Sequence, residues 1–400
     1  MRRSDGGNLL GAHCLPDLDV DFVVVGAGLV GLAIAERLAA RGTVVVVERN
    51  EASARESSAH NTGIVHAGFL YETGSLKHHL CLEANPLVYE WCEGHGVRVA
   101  HTGKLVVALG AEDLDGLDRI EARARANGVP GIRRLTGSEA RALEPNIAAV
   151  AALSSETSGI IDQVGFAKSL ESVARDRGVL FAFHHTVAAV ERAEGSTTVH
   201  LRDADGAESS LRAGILVNSA GHGAPSLAAL AGLPLDGDTA RGLPPLRQRV
   251  NRGRYYDLVT PGFNRAVSRP VYPIPSGAAD VQRHQAQAGG AGMHLSVDID
   301  GVAHLGPDTE WLPDGAPLDY RMDDAPRAAF LAAGRRFLPA LSDEDIAPGQ
   351  VGYRPKIEAV GDTPPDFLIF RAGAYVHLGG IESPGLTSAL AIARYVEGLV

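Results

Sequence analysis

The chain has 400 residues and carries 37 Lys and Arg against 48 Asp and Glu, a formal net charge of −11 with histidine counted neutral. At about 150 residues per domain this length implies two to three domains, and a hydrophobic fraction of 45% excludes global disorder. The acidic balance argues against a nucleic-acid binder or an anionic-membrane binder, both of which need basic surface.

Residues 1–19 read as an extension without a core pattern, and Asp5, Gly6, Gly7 and Asn8 stand where a signal peptide needs its apolar run. Residues 21–25 read as a buried strand, 29–41 as a helix with Leu29, Leu32, Ala33, Leu38 and Ala39 on its apolar side, and 43–47 as a second apolar strand ending in Glu48. Continuous apolar strands flanking a helix mark a parallel βαβ unit. A polar stretch over 49–62 precedes a helix over about 75–93, which puts Cys81 and Cys92 about three turns apart on one buried face. The three cysteines, with Cys14, form no disulfide framework and fit a reducing compartment. A strand at 104–109, helices at 111–127 and 164–177, and strands at 180–183, 187–191, 197–201 and 215–218 follow. Residues 237–320 are rich in Pro, Gly and Arg and read as a β-rich part with short strands at 271–274 and 294–299. A helix at 325–337 leads to strands at 367–370 and 375–378 and a final helix, for which Ser383 suits the N-cap and Pro384 the first helical position. No segment reaches the roughly 18 apolar residues of a membrane span.

Gly26-Ala27-Gly28-Leu29-Val30-Gly31 is G-x-G-x-x-G between a strand and a helix. Its first glycine makes the tight turn, the second lets a pyrophosphate approach the backbone, and the third allows close helix–strand contact. Glu48 ends the next strand, where a carboxylate accepts from ribose hydroxyls. After Glu48 the chain leaves the sheet and comes back at 215–221, ending in Ser219-Ala220-Gly221; both points favour FAD over NAD. Gly379-Gly380-Ile381-Glu382-Ser383-Pro384-Gly385-Leu386-Thr387 precedes a helix whose N-terminus suits the negative charge of a reduced flavin.

Further segments are His60-Asn61-Thr62-Gly63-Ile64-Val65-His66-Ala67-Gly68, Gly74-Ser75-Leu76-Lys77, Cys81, Gly103-Lys104-Leu105 and 162–164, then Tyr272-Pro273-Ile274-Pro275, Gly292-Met293-His294-Leu295 and Leu305-Gly306-Pro307. With these, the run from about 21 to 400 resembles the D-amino-acid-oxidase superfamily of FAD enzymes and, within it, the L-2-hydroxyglutarate dehydrogenases and oxidases. The resemblance implies FAD held by Gly26, Gly28, Gly31, Glu48, Arg49, His60, Asn61, Thr62, Gly63, Val187, Ala220, Gly221, Gly380, Ile381, Pro384, Gly385, Leu386 and Thr387. Some relatives attach flavin through a histidine at the place of His60; here non-covalent FAD is expected. Departures occur at Glu72, where the family tends to carry lysine, at Tyr353-Arg354-Pro355-Lys356, at 381–385, and in a polar loop over 276–292 that looks roughly ten residues longer than usual. They leave the substrate less certain than the cofactor.

Oxidising a secondary alcohol by hydride transfer needs a base for the hydroxyl proton, and histidine titrates in the right range. His66, His294 and His377 are the candidates. Arg354 offers a bidentate fork for a carboxylate, with Lys356 and Lys104 as point charges and Tyr71 as a hydroxyl donor or wall. The arginines at 247, 249, 252 and 254 read as salt-bridging surface, and the adjacent pairs His78-His79 and His184-His185 diverge, so no metal site is expected.

The expected architecture is α/β: a Rossmann-like FAD-binding domain of glutathione-reductase type from 20–98, 148–236 and 345–400, and a second β-rich α+β substrate domain from 99–147 and 237–344. The expected reaction oxidises an L-2-hydroxy acid to a 2-oxo acid, with a quinone or oxygen as electron acceptor and no nucleic-acid partner. Amino-acid or N-methyl-amino-acid oxidation on the same fold is the alternative, followed by a tRNA-acting or non-catalytic FAD-binding protein. The expected location is cytoplasmic, with peripheral membrane association left open.

Overall fold

The computed structural model describes residues 18–274, 293–357 and 365–400. Cys14, Pro275, Gly292 and the 276–292 loop lie outside them. The chain forms two compact units. The first takes the described residues up to Ala59, then Gln163–Gln248 and Phe367–Val400; the second takes His60–Asp162 and Arg249–Asp366.

In the first unit a parallel sheet runs in the spatial order Leu180–Ala182, Val44–Val47, Leu18–Val25, Glu208–Asn218 and Tyr375–Gly379, with Leu368–Ala372 antiparallel beyond. The long strand Glu208–Asn218 shares one edge between two partners. Its first half pairs with the Ser196–Arg202 strand of a meander, and its last residues pair with Tyr375–Gly379. All four residues of Val44–Val47 are buried, as continuous apolar strands covered on both faces must be. Each such valine contributes about 1.5–3 kcal/mol of hydrophobic stabilisation. The first helix, Leu29–Leu38, is buried along most of its length and packs on the helices Gln163–Asp176 and Gly385–Leu399. Arg37 pairs with Glu397 at 2.6 Å, and Arg177 with Glu36 at 2.6 Å.

The second unit is built on a nine-stranded sheet. Its order is Glu310–Trp311, Gln248–Leu258, Ala303–Gly306, His294–Val297, Val271–Pro273, Lys104–Ala108, Ala151–Ser155 and Ile132–Thr136, and Ile346–Ile357 also pairs with Gln248–Leu258. A small sheet joins Ile64–Val65 and Val99–Ala100 through Gly159–Ile161. The two faces of the large sheet differ, because successive side chains point to opposite sides. Leu105, Val107, Tyr256, Val271, Leu295 and Leu305 enter one apolar core with Phe330 and Phe337. Their neighbours in sequence, at 104, 106, 255, 272, 294 and 306, face the other way.

The observed division differs from the expected one in four places. Residues 237–248, expected in the second domain, belong to the first unit. Residues 60–98 belong to the second unit, because Ile64–Val65 pairs with Gly159–Ile161 and the long helix Leu76–His95 is anchored there. Residues 148–162 follow them, since Ala151–Ser155 pairs with Lys104–Ala108. Residues 345–366 join through the Ile346–Ile357 strand, which Gly349, Gly352 and Pro355 hide from a propensity reading. A smaller correction concerns the last helix. It starts at Gly385, and Pro384 rather than Ser383 occupies the N-cap position, without a side-chain cap. Among the described residues no helix is long and apolar enough to cross a membrane.

The anchor of Leu76–His95 is distant in sequence. The Asp366 carboxylate accepts from the backbone N–H of Leu76 at 2.6 Å and of Lys77 at 2.9 Å, Ser75 accepts from His78 N–H, and Lys77 Nζ donates to the Pro365 carbonyl. An anion at a helix start satisfies orphan N–H groups and complements the macrodipole. Asp366→Ala is expected to destabilise the protein by about 1–2 kcal/mol. That corresponds to a fall of about 2–4 °C in thermal midpoint per kcal/mol for a unit of this size, and Asp366→Asn is expected to recover part of it. Differential scanning fluorimetry checks both; an unchanged midpoint for the alanine variant contradicts the anchor.

Candidate active site

The first unit holds a dinucleotide cradle. Three backbone segments meet at Gly26, Gly31 and Ser219. Gly26 has φ +106°, and a Cβ there would lie 2.6 Å from the Ser219 carbonyl oxygen. A Cβ on Gly31 would overlap the Gly26 carbonyl and sit 2.7 Å from Ser219 Oγ. Ser219 Oγ donates to the Val25 carbonyl at 2.9 Å, tying the two parallel strands at their ends. Glycine is therefore obligatory at both positions, and the start of the first helix is brought directly over the strand ends. Gly28 is its N-cap, and Leu29 N–H donates to Ser58 Oγ at 3.0 Å. Glu48 is buried at the end of its strand. One of its carboxylate oxygens accepts from Ala27 N–H at 2.8 Å and the other from Asn50 N–H and Nδ2. A carboxylate has about four lone-pair sites, so Glu48 braces the glycine turn and keeps capacity for a ribose hydroxyl. Turn, helix start and acid together fit an adenine dinucleotide.

Other cofactor residues expected from sequence spread over both units. Arg49 is exposed and forks onto Glu56. Val187 sits at a register shift of the meander opposite Leu201. Asn218 Oδ1 accepts from Ala220 N–H at 3.2 Å, and Gly221 takes φ +56°. Gly380 N–H donates to Gln248 Oε1 at 2.8 Å, with φ +64°. Ile381 is half-buried, and Pro384, Gly385 and Thr387 are buried, with Leu386 between. His60, Asn61, Thr62 and Gly63 belong to the second unit. There the His60 ring lies 4.2 Å from that of Tyr320, and Asn61 Oδ1 accepts from Gly63 N–H.

The second unit gathers substrate candidates on the sheet face opposite the core of Phe330 and Phe337, beside a second apolar cluster of Phe69, Val106 and Leu117. Lys104 opens the strand Lys104–Ala108 and is 1% exposed. Its Nζ lies 3.5 Å from the centre of the Tyr272 ring and 5.5 Å from that of Phe69. His294 stacks on Tyr272 with ring centres 3.8 Å apart. His66 contacts Tyr71 edge-on at 6.2 Å, and its carbonyl accepts from Asn85 Nδ2 at 2.9 Å. Arg354 donates to Asn251 Oδ1, to the Asp308 carbonyl at 3.2 Å and to the Tyr255 hydroxyl. Gly253 makes room for this fork, since a Cβ there would overlap an Arg354 nitrogen. Asn251, Gly253 and Tyr255 alternate along one strand, so all three present the same side to Arg354. Lys356 is buried two residues further along the Ile346–Ile357 strand.

Burial sets the electrostatics of this face. It pushes the Lys104 amine down to about 7, against which only the Cys81 thiol acts. It holds His66 well below the ordinary imidazole range, helped by the positive charges of Lys104 and His294. It raises the Tyr255 hydroxyl to about 12, against the Arg354 charge, and raises Tyr272 and the Cys81 thiol further. His377 belongs to the first unit. It is buried on Tyr375–Gly379, with Nδ1 near Asn218 Nδ2 and the Tyr375 hydroxyl, and burial lowers it to about 4. Of the arginine cluster, Arg247 pairs with Asp236, Arg252 with Glu310, and Arg254 with Asp308, as salt bridges. Asn251, Asn85 and Phe69 were not singled out from sequence; for Asn251 the available signal was the alternation with Gly253 and Tyr255. Among the described residues no group of His, Cys, Asp or Glu could hold a metal ion.

Comparison with known proteins places this arrangement. The model of the FAD dependent oxidoreductase family, DAO, matches residues 21–399. The mitochondrial L-2-hydroxyglutarate dehydrogenase of Arabidopsis thaliana is 33% identical, over 96% of this chain and 84% of that protein. The L-2-hydroxyglutarate dehydrogenase of Escherichia coli K12 is 25% identical over 95% and 93%, and the human mitochondrial enzyme of that name 27% identical over 94% and 87%. Among solved structures, the dithionite-reduced, FAD-bound L-alpha-glycerophosphate oxidase of Mycoplasma pneumoniae superposes with a TM-score of 0.81 at 26% identity, covering 95% of this chain and 94% of that one. Glycine oxidase from Geobacillus kaustophilus, at TM-score 0.73 and 19% identity over 96% and 94%, shares the fold. With the glycine cradle, the parallel sheet and a family match over nearly its whole length, the chain belongs to the FAD dependent oxidoreductase family.

Proposed function

We propose that this flavoprotein oxidises an L-2-hydroxy acid of the L-2-hydroxyglutarate type to the corresponding 2-oxo acid. The observation that supports it most is the Arg354 fork, held from behind by Asn251, Asp308 and Tyr255 on the sheet face that also carries His66, His294 and Lys104. Similarity to L-2-hydroxyglutarate dehydrogenases along nearly the full chain supports the substrate class.

FAD, held without a covalent bond by the Gly26–Gly31 turn, Glu48, Ala220-Gly221 and the Gly380–Thr387 turn, supplies the acceptor for the C2 hydride. The protein's own residues do the rest. Arg354 grips the carboxylate beside C2 and so fixes the orientation of the C2–H bond; a planar guanidinium matches a carboxylate with two parallel bonds. Because three groups already hold the fork, little side-chain freedom is lost on binding. The hydroxyl proton leaves to an imidazole. His66 is kept neutral by burial and by its cationic neighbours, and the neutral imidazole is the form that takes up a proton. His294, flat against Tyr272, is the second candidate and is fixed in orientation by that stack. Tyr71 walls the His66 ring. His377, buried in the first unit on the Tyr375–Gly379 strand, is third. A quinone or oxygen would be the electron acceptor.

Anaerobic flavin bleaching against a panel of L-2-hydroxy acids and amino acids tests the reading: 2-hydroxy acids are expected to bleach it. Bleaching by amino acids alone assigns the chain to amine oxidation instead.

The purified protein is expected to be yellow and to release its FAD into the supernatant on acid precipitation. Gly31→Val, whose side chain collides with the Gly26 carbonyl, is expected to emerge without flavin. Flavin retained in the pellet would point to a covalent link.

Arg354→Lys is expected to lower kcat/KM roughly 10- to 150-fold, mostly through KM, at unchanged flavin content, since a charge-assisted pair is worth about 1.5–3 kcal/mol. Steady-state kinetics with the absorbance ratio of flavin to protein measures both.

Replacing the proton acceptor, His66→Asn or His294→Gln, is expected to slow flavin reduction by about 10²–10⁴ for one of the two and far less for the other. If His66 is the acceptor, its variant should also lose an ionisation that lies well below the ordinary imidazole range in the pH profile. Stopped-flow reduction across pH checks this; near wild-type rates in both variants would move the search to His377.

A further inference from the structure

Lys104 is the most anomalous group in the second unit. Lysine is among the residues least often fully buried without a partner. Here Nζ is shielded from solvent and has no hydrogen-bond partner, although an ammonium carries three donors. The groups facing it come from three elements and one loop. Tyr272 lies under it from the Val271–Pro273 strand and Phe69 from the loop after Ile64–Val65. Cys81 approaches from the long helix, its thiol kept protonated by burial. His66 and His294 lie close enough for charge to repel charge. None of these is an anion. Aromatic faces stabilise a buried cation only in part, by about 2 kcal/mol when desolvated, and the charged form of Lys104 has no anionic counterpart among the groups named.

The same sheet face carries a second cationic seat. Arg354 touches Tyr255, and Tyr272 feels the charge of Arg354 as well as the hydroxyl of Tyr255. Lys104 beside Tyr272 and Arg354 beside Tyr255 thus mark two cationic ends of one sheet face, near enough for Tyr272 to feel the charge of Arg354. The ends differ in kind. Arg354 is a rigid planar fork, suited to aligning the carboxylate next to the reacting carbon. Lys104 is a point charge on a flexible stem, suited to a group whose angle matters less.

We infer that Lys104 seats the remote carboxylate of a dicarboxylic 2-hydroxy acid and so selects such acids over monocarboxylic ones. This deepens the functional reading above and rests on it. The amine sits near the midpoint of its titration at neutral pH. An arriving carboxylate favours the charged form, so binding draws a proton onto Nζ. Because only that form pairs with the carboxylate, preference for dicarboxylates weakens as pH rises above about 7.

The test compares L-2-hydroxyglutarate with L-2-hydroxyvalerate, the same chain with a methyl in place of the remote carboxylate. In the Lys104→Met variant the ratio of their kcat/KM values is expected to fall roughly 10- to 150-fold, at unchanged flavin content. Lys104→Arg, charged at every working pH, is expected to keep a preference and lose its pH dependence. Proton uptake gives a readout apart from turnover: at pH 8, glutarate is expected to draw a proton into the wild type and not into Lys104→Met. Equal losses for both substrates, or an unchanged ratio, overturn the inference and leave the functional reading in place. If no 2-hydroxy acid bleaches the wild-type flavin, that reading falls and this inference falls with it.

Discussion

The first unit depends on one close approach of backbone to backbone. At the ends of two parallel strands the Gly26 carbonyl, the Ser219 carbonyl and the start of the first helix occupy a space that no Cβ could share. This contact sets the height of the helix above the sheet and aims its N-terminal N–H groups at one point. Glu48 then closes the turn from the neighbouring strand through Ala27 N–H. Helix, sheet and acid are held by the missing side chains more than by any single attraction, since small movements here meet steep repulsion.

The second unit meets a different constraint. Its large sheet buries one face against Phe330 and Phe337 and packs part of the other, at Val106, Ala108 and Tyr272, against Leu117 and Ile120, and alternation along each strand sorts side chains between the two. Val271 and Leu295 face the core; Tyr272 and His294 face away and stack on each other. Lys104 is drawn onto the same face by its position before Leu105. Once there, it is far from water, and its charge becomes costly. The neutral imidazole of His66 and the softened amine of Lys104 are therefore consequences of where the strands run.

Long-range anchors keep this face in register. Asp366 holds the start of the Leu76–His95 helix, whose Asn85 in turn ties the His66 carbonyl. Arg354 is held by Asn251 and by the Asp308 carbonyl, both far away in sequence. Substitutions at such positions disturb the orientation of groups that they never touch.

The nucleotide cradle was legible in the sequence because its parts are local. A strand, a glycine turn, a helix and an acid follow one another within about thirty residues, the reach of one βαβ unit. Each residue type there answers to a steric demand that holds wherever the motif occurs. Strand periodicity likewise marked Val44–Val47 and Lys104–Ala108, while Ile346–Ile357 was missed because Gly349, Gly352 and Pro355 break its pattern. The division into units was not legible. Residues 60–98 follow the cradle in sequence, and only the pairing of Ile64–Val65 with Gly159–Ile161 assigns them elsewhere. The roles of His377, Lys104 and Asn251 were likewise decided by tertiary structure. A histidine, a lysine and an asparagine read the same in any sequence; whether each meets water, a ring or another charge depends on segments hundreds of residues apart, and burial of this kind sets the chemistry of a titratable group.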